Sequence, residues 1–239
     1  MTRREFFQRR IPRYRKDPLL FFKEVTHFDP DPWQREAAVA VSQHRRVAIR
    51  SGQGVGKTAL EANLMWWFIA CFSYPRIVCT APTMQQLDNV LWAEMAKWLD
   101  ASPVLQMMFT WTKTRVYMNG YDRRWFAVPR TATKPESLQG FHEDNMLFVV
   151  DEASGVADPI LDANNRLLYC GNPTKATGGF AESFQGDGMD WYCMTVSSRD
   201  SPRTSKENIA ALEKKYGKNS NVVRVRVDGL PPVADSDVF

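Results

Sequence analysis

One run of nine residues, Arg50-Ser51-Gly52-Gln53-Gly54-Val55-Gly56-Lys57-Thr58, limits what this chain can fold into. An apolar stretch, Val47-Ala48-Ile49, precedes it, and a long apolar segment from Ala59 to Phe72 follows. Strand, glycine-rich turn and helix in that order is the setting of a phosphate-binding loop. Glycines let successive backbone N–H groups close around phosphate oxygens, and the helix presents the positive end of its dipole to the anion. In that arrangement Ser51, Gly52, Gln53, Gly54, Val55 and Gly56 form the cradle. Lys57 reaches the β- and γ-phosphates, and the Thr58 hydroxyl ligates Mg²⁺. The first place of the pattern G-x-x-x-x-G-K-[ST] is Ser51 rather than glycine. The competing reading, a loop that is merely glycine-rich, is disfavoured by the preceding strand and the terminal Gly-Lys-Thr.

Further apolar runs end in polar residues. Arg76 to Ala81 reads as a buried strand closing on Pro82-Thr83, and Met146 to Val150 as one that stops at Asp151-Glu152. Leu167 to Cys170 ends in Gly171-Asn172-Pro173, and Trp191 to Val196 is one strand more. Helices lie between them. Met84, Leu87, Leu91, Met95 and Trp98 recur at helical spacing. Asn119-Gly120 between Thr114–Met118 and Arg124–Val128 predicts a hairpin. Thr131 to Asn145 reads as a loop. Thr204 with Glu207 predicts a capping box opening a helix that stops at Gly217. Val223, Val225 and Val227 alternate with arginines, as in a strand with one wet face. Near-continuous apolar strands alternating with helices predict an α/β fold, a mostly parallel sheet with helices on both faces. Ligands in such sheets bind beyond the carboxyl ends of the strands, where all these polar residues fall. The sixteen residues between Val150 and Leu167 are a tight parallel crossover.

Composition excludes some classes. No apolar run approaches the roughly 20 residues of a membrane span, and no apolar h-region marks a secretory signal. Cys71, Cys79, Cys170 and Cys193 form no C-x-x-C pair, so they read as buried, reduced thiols rather than zinc ligands or disulfides. Residues 1–16 hold seven arginines and lysines against one acid, Glu5, more than the whole net charge of +4. This basic segment either touches nucleic acid or an acidic partner, or is a solvated terminus. With the helix that Asp17-Pro18 starts, it makes residues 1–30 a basic helical arm. Residues 31–230 form the nucleotide-binding domain and 231–239 a linker.

Asp151-Glu152 after five apolar residues divides labour between two carboxylates. Asp151 holds the Mg²⁺ environment and Glu152 orients and polarises the attacking water. The plainer reading makes Asp151 a helix N-cap. Asn172 is placed either to sense the γ-phosphate or to make a turn before proline. Gln34 either meets an adenine edge or closes a capping box with Asp31, ahead of Pro32. An arginine must also supply charge to the γ-phosphate in the transition state. Arg50, Arg123, Arg124 and Arg130 are the candidates, and spacing does not choose among them.

In this order the motifs resemble the ATPase domain of the large terminase subunit of tailed bacteriophages, a P-loop NTPase of the ASCE, RecA-like type. Pro32-Trp33-Gln34 is similar to its adenine motif, Ser51 to Thr58 to its Walker A, and Val149 to Ala153 to its Walker B. Thr80-Ala81-Pro82-Thr83 with Gln85-Gln86, Gly171-Asn172-Pro173, and Ser201-Pro202 through Val227 resemble later motifs. The resemblance implies Mg²⁺-dependent hydrolysis of ATP to ADP and phosphate, with Glu152, Lys57 and Asn172 catalytic and Gln34 on the base. It implies translocation of double-stranded DNA into a procapsid. The partners would be the portal protein, the small terminase subunit and further copies in a ring, in the host cytoplasm and not in the mature virion. It departs where some members carry a finger arginine: Gln53 and Gln139-Gly140 stand at those places. A nuclease domain usually follows in the family, and no DNA cleavage is expected of the residues present. The rival readings are a helicase-like superfamily 2 ATPase and a non-motor nucleotide-binding regulatory module.

Overall fold

A computed structural model describes residues 3–131, 144–156, 165–186 and 190–233. The chain opens with α1 (Arg3–Lys16) and α2 (Pro18–Phe21), which runs on as a π-helical turn, Phe22–Thr26. Then come α3 (Pro32–Gln43), β1 (Arg46–Ser51), α4 (Lys57–Cys71) and β2 (Arg76–Thr80). One long helix follows, α5 (Met84–Gln86) joined through π-helical Leu87–Trp92 to α6 (Ala93–Ala101). After α7 (Pro103–Met108) come β3 (Phe109–Trp111), β4 (Val116–Met118), β5 (Phe126–Pro129) and β6 (Met146–Val150). The chain continues with β7 (Arg166–Gly171), α8 (Gly179–Glu182), β8 (Tyr192–Val196), α9 (Lys206–Tyr216) and α10 (Asn221–Arg226).

The eight strands form one sheet in the order β3-β4-β5-β2-β6-β7-β1-β8. All pairings are parallel except those of β4 with β3 and β5. The placement of β7 matters most for function. It separates β1, which leads into the phosphate loop, from β6, which ends at Asp151, so Asn172 emerges between them. The central strands β2, β6 and β7 are largely apolar because both faces are buried. Val47, Ile49, Ile77, Leu147, Val149 and Leu168 face the main core under the helices. Ala48, Val78, Phe148 and Tyr169 face the other side. Among the described residues the helical cover there is thinner than the expected full layer. It is α8, whose Phe180 lies 6.3 Å from the Tyr169 ring, beside Trp191.

Helix α4 shows no amphipathic stripe because it is enclosed on all sides, Leu60 to Cys71 being buried. One of its neighbours is α1. Phe7 and Tyr14 are 1% exposed, the Trp67 indole N–H donates to the Tyr14 carbonyl at 2.7 Å, and Tyr14 and Arg10 both bond Glu24. Phe7, Tyr14, Phe21, Phe22, Val25 and Phe28 therefore belong to the same core as the strands and α4.

Three local expectations are corrected. Residues 221–226 are helical, not a strand: Ser220 caps the Val223 N–H, and Val223 and Val227, one turn apart, pack on Ile209. Alternation of valines and arginines satisfied a period of two, but burial of an i, i+4 pair decided the outcome. The cap of α9 is Ser205, which accepts from Asn208 N and donates to Glu207, rather than Thr204. Cys193 is exposed, whereas the other three thiols are buried. The loop expected over 131–145 lies mostly outside the described residues.

The buried packing of α1 predicts that Phe7→Ala and Tyr14→Ala each destabilise the chain by about 3 kcal/mol. Urea denaturation followed by circular dichroism checks this; a solvated arm would leave the midpoint where it was.

Candidate nucleotide site

The loop between β1 and α4 folds as its glycines require. Gly56 has φ 91°, a left-handed conformation that L side chains avoid. A Cβ on Gly52 would lie 2.2 Å from Ser198 Oγ and 2.3 Å from the Val227 carbonyl, so only glycine fits. Lys57 and Thr58 open α4 and stand at the positive end of its dipole. A cavity of about 650 Å³ lies over them. Gln53 through Thr58 form one wall, Asp151, Glu152 and Asn172 the facing wall, and Pro82, Gln86 and Val90 close a third side. Ser51 and Gly52 lie beneath rather than in it.

The facing wall is set by strand ends. The Asp151 N–H continues the sheet ladder to the Thr80 carbonyl at 2.9 Å, after which the chain turns sharply. Glu152 has φ 50°, a left-handed conformation costly for a residue with a side chain and frequent at functional positions. It brings the Glu152 carboxylate to 3.8 Å from Lys57 Nζ, which also donates to Ser51 Oγ at 3.3 Å. The Asn172 amide donates to the Ser51 carbonyl at 2.7 Å, and Ser154 Oγ donates to the Asn172 carbonyl at 2.8 Å. Asn172 thus grips the phosphate loop itself, and the simple turn reading of this residue is too weak. Asp151 does not cap a standard α-helix; a single 3₁₀ turn, Ala153–Gly155, follows Glu152.

Gln34 is fully buried and outside the cavity. Its Oε1 accepts from Asp31 N at 2.7 Å, closing the capping box, and its Nε2 donates to the Gly56 carbonyl at 2.9 Å. It braces the loop from behind.

The four arginines part company. Arg50 stacks on Phe184 at 4.5 Å and donates to Thr195 Oγ1, turned from the cavity. Arg123 and Arg124 precede β5, at the end of the sheet opposite Lys57. Arg130 follows β5 at the cavity end, its N–H donating to the Cys79 carbonyl. Gln139-Gly140 lies outside the described residues.

Three features had not been anticipated. Ser198 Oγ donates to the Gln53 carbonyl at 2.7 Å, and the Gln53 N–H donates to the Arg226 carbonyl at 2.7 Å. Arg203 pairs with Asp31 at 2.6 Å and lies against Gly56. Glu61, one turn after Lys57, is fully buried beside Cys170; burial, then the Asp151 charge, pushes its carboxyl well above the usual range. The sole signal for Glu61 was an acid inside an otherwise apolar helix.

Whether Mg²⁺ fits can be judged from Asp151. Burial, then the Glu152 charge, pushes its carboxyl up to about 6, although Lys57 acts in the other direction. A nearly buried carboxylate in that condition, with the Thr58 hydroxyl lining the same cavity, fits a hard dication. Among the described residues no group of three or more His, Cys, Asp and Glu gathers as a separate metal cage.

The family model of the phage terminase large subunit gpA, ATPase domain, matches residues 23–165. This chain belongs to that family. It is 26% identical over 221 residues to a probable large terminase subunit of Enterobacteria phage P7, covering 81% of this chain and 44% of that protein. The fold matches the large terminase of HK97 bacteriophage with a TM-score of 0.70 at 16% identity, over 91% of this chain and 55% of that one. It also matches the large terminase of a thermophilic bacteriophage in complex with ADP, with a TM-score of 0.63 at 12% identity, over 92% and 53%. The chain therefore spans about half the length of these terminases. The P-loop ATPase-domain fold expected from the motifs is the fold found.

Two consequences are measurable. A carboxyl raised from 3.8 to about 6 makes folding take up a proton. The stability that the protonated form supplies falls as pH rises through this window, and at neutral pH the ionised group opposes folding. Asp151→Asn is expected to stabilise the nucleotide-free chain at pH 7.5 by about 1–3 kcal/mol, with little change below pH 4, by thermal denaturation. Glu61→Gln keeps shape and neutrality and should shift stability by less than about 1 kcal/mol, whereas Glu61→Lys should unfold the chain.

Proposed function

We propose that this chain binds ATP with Mg²⁺ in the cavity over Lys57 and hydrolyses it. The observation that carries the reading is the meeting of Lys57, Glu152, Asp151 and Asn172 from three different strand ends around one cavity. Loop amides from Gly54 to Gly56 and the Lys57 ammonium take the phosphates. Thr58 and Asp151 would hold Mg²⁺, which when bound offsets charge on the β- and γ-phosphate oxygens. Glu152, held by its own backbone turn, accepts the proton of the attacking water as that oxygen bonds to phosphorus and the ADP oxygen leaves. Before nucleotide arrives Glu152 pairs with Lys57; the triphosphate takes Lys57 over and frees the carboxylate to act as base. Asn172, bonded to Ser51, passes loss of the γ-phosphate into β7. Gln34 acts on the base indirectly, through the position of Gly56.

Family membership extends the reading to the whole protein. Turnover would drive double-stranded DNA into a procapsid, with the portal protein, the small terminase subunit and neighbouring copies in a ring as partners. The host cytoplasm is the setting; among the described residues no helix is long and apolar enough to cross a membrane. A neighbouring copy would supply the transition-state arginine unless Arg130 does so in cis.

Glu152→Gln is expected to bind ATP as the parent chain does and to hydrolyse it about 10²- to 10⁴-fold more slowly. Equilibrium binding of a fluorescent ATP analogue with a phosphate-release assay reads both; unaltered turnover removes Glu152 from the role. A passive nucleotide-binding module would show no turnover with DNA and assembled copies present.

A further inference from the structure

Helices α1, α3 and α4 all end at the amino-terminal ends of the parallel strands, opposite the nucleotide cavity. Three negative helix ends therefore face that side, and positive side chains collect there. Arg46, Arg76 and Arg166 are the first residues of β1, β2 and β7. Arg45 precedes β1, and Arg123 and Arg124 lie in the turn before β5, with Arg124 stacked 4.8 Å over Tyr74. Arg45, Arg123 and Arg124 are exposed, and the other three are half-buried.

Helix ends explain only part of this. Arg15 donates to the Cys71 carbonyl at the end of α4, and Arg166 to the Val41 and His44 carbonyls at the end of α3. Arg123 and Arg124 stand on no helix end. Among the described residues the acids that flank the face, Asp122, Asp144 and Asp190, are outnumbered, and Asp122 lies 3.9 Å from Arg115. The field is felt within the cluster: the Arg166 guanidinium is pushed down by burial and then by the Arg45 charge.

From β1 to β5 the face crosses four strand spacings, about 19 Å. Arg46, Arg76 and Arg166 open strands, which fixes their spacing, and Arg45, Arg123 and Arg124 stand within three residues of a strand start. Duplex DNA offers one charge per about 1.7 Å of axis, so a rigid row finds phosphates in any register. An acidic protein would need carboxylates at matching points.

We propose that this amino-terminal strand face binds the phosphate backbone of duplex DNA without regard to sequence. The choice of polyanion rests on the DNA-translocation reading above. Binding at one end of the sheet and ATP at the other would let β1, β2 and β7 join the two sites directly.

The test is fluorescence anisotropy of the full chain with a labelled 20-base-pair duplex of random sequence, across a salt series. The triple variant Arg45→Ala/Arg123→Ala/Arg124→Ala should bind at least tenfold more weakly at 0.1 M salt. Its log–log salt slope should fall by about 2–3, near 0.9 per lost phosphate contact. The matching triple lysine variant should restore most of both, and the thermal midpoint of each triple should match the parent chain. Equal affinity and slope in the alanine triple overturn the proposal. So does a parent chain that hydrolyses ATP but binds no duplex, which leaves the ATPase reading standing. Tighter binding to polyglutamate than to duplex, lost in the triple, overturns it in favour of an acidic protein. Duplex binding lost in the triple, in a parent chain that never hydrolyses ATP, supports this face and rejects the ATPase reading.

Discussion

The backbone of Ser51, Gly52 and Gln53 is held from every side by groups outside the loop, and the rest of the site depends on that grip. Asn172 takes the Ser51 carbonyl, the Val196 carbonyl takes the Gly52 N–H, and the Arg226 carbonyl takes the Gln53 N–H. Ser198 takes the Gln53 carbonyl, and Gln34 takes the carbonyl of Gly56. A loop rich in glycine loses much conformational freedom when it orders. Here β7, β8, α10 and α3 meet that cost within the fold, so nucleotide meets amides already in place. The same bonds tie the loop to elements far apart in sequence.

The fold also divides charge between the two ends of the sheet. Helices that run against parallel strands put their N-termini at one end and their C-termini at the other. The end with the start of α4 carries Lys57 and the carboxylates Asp151 and Glu152. The opposite end gathers arginines. One topological choice thus gives a site for a triphosphate and a basic face about a strand length away.

Much of this was legible in the residues because function sits where periodicity breaks. Runs such as Met146 to Val150 stop abruptly at polar residues, and those stops mark the strand ends lining the cavity. What was hidden is tertiary. Val223, Val225 and Val227 look like a strand until Ile209 supplies a surface for an i, i+4 pair. Gln34 reads as meeting a base or closing a capping box, and only its hydrogen bonds show both ends of the amide in use. The arginines before β1 share one end of the sheet with Arg123 and Arg124 only through the strand order, in which β7, β6 and β2 stand between β1 and β5. The basic helix at the start read as a contact for nucleic acid or an acidic partner or as a solvated terminus, because Phe7 and Tyr14 are scattered among arginines, yet Trp67 and its neighbours receive them.

A preformed phosphate loop is the central claim, and amide hydrogen exchange of the nucleotide-free chain tests it most directly. The Gly52 and Gln53 amides, bonded to the Val196 and Arg226 carbonyls, should exchange slowly, with protection close to that of neighbouring β1. Adding an ATP analogue should then slow the cavity-facing amides from Gly54 to Gly56 and barely alter these two. Exchange of Gly52 and Gln53 at the rate of an open loop, with protection gained only when nucleotide binds, would contradict it.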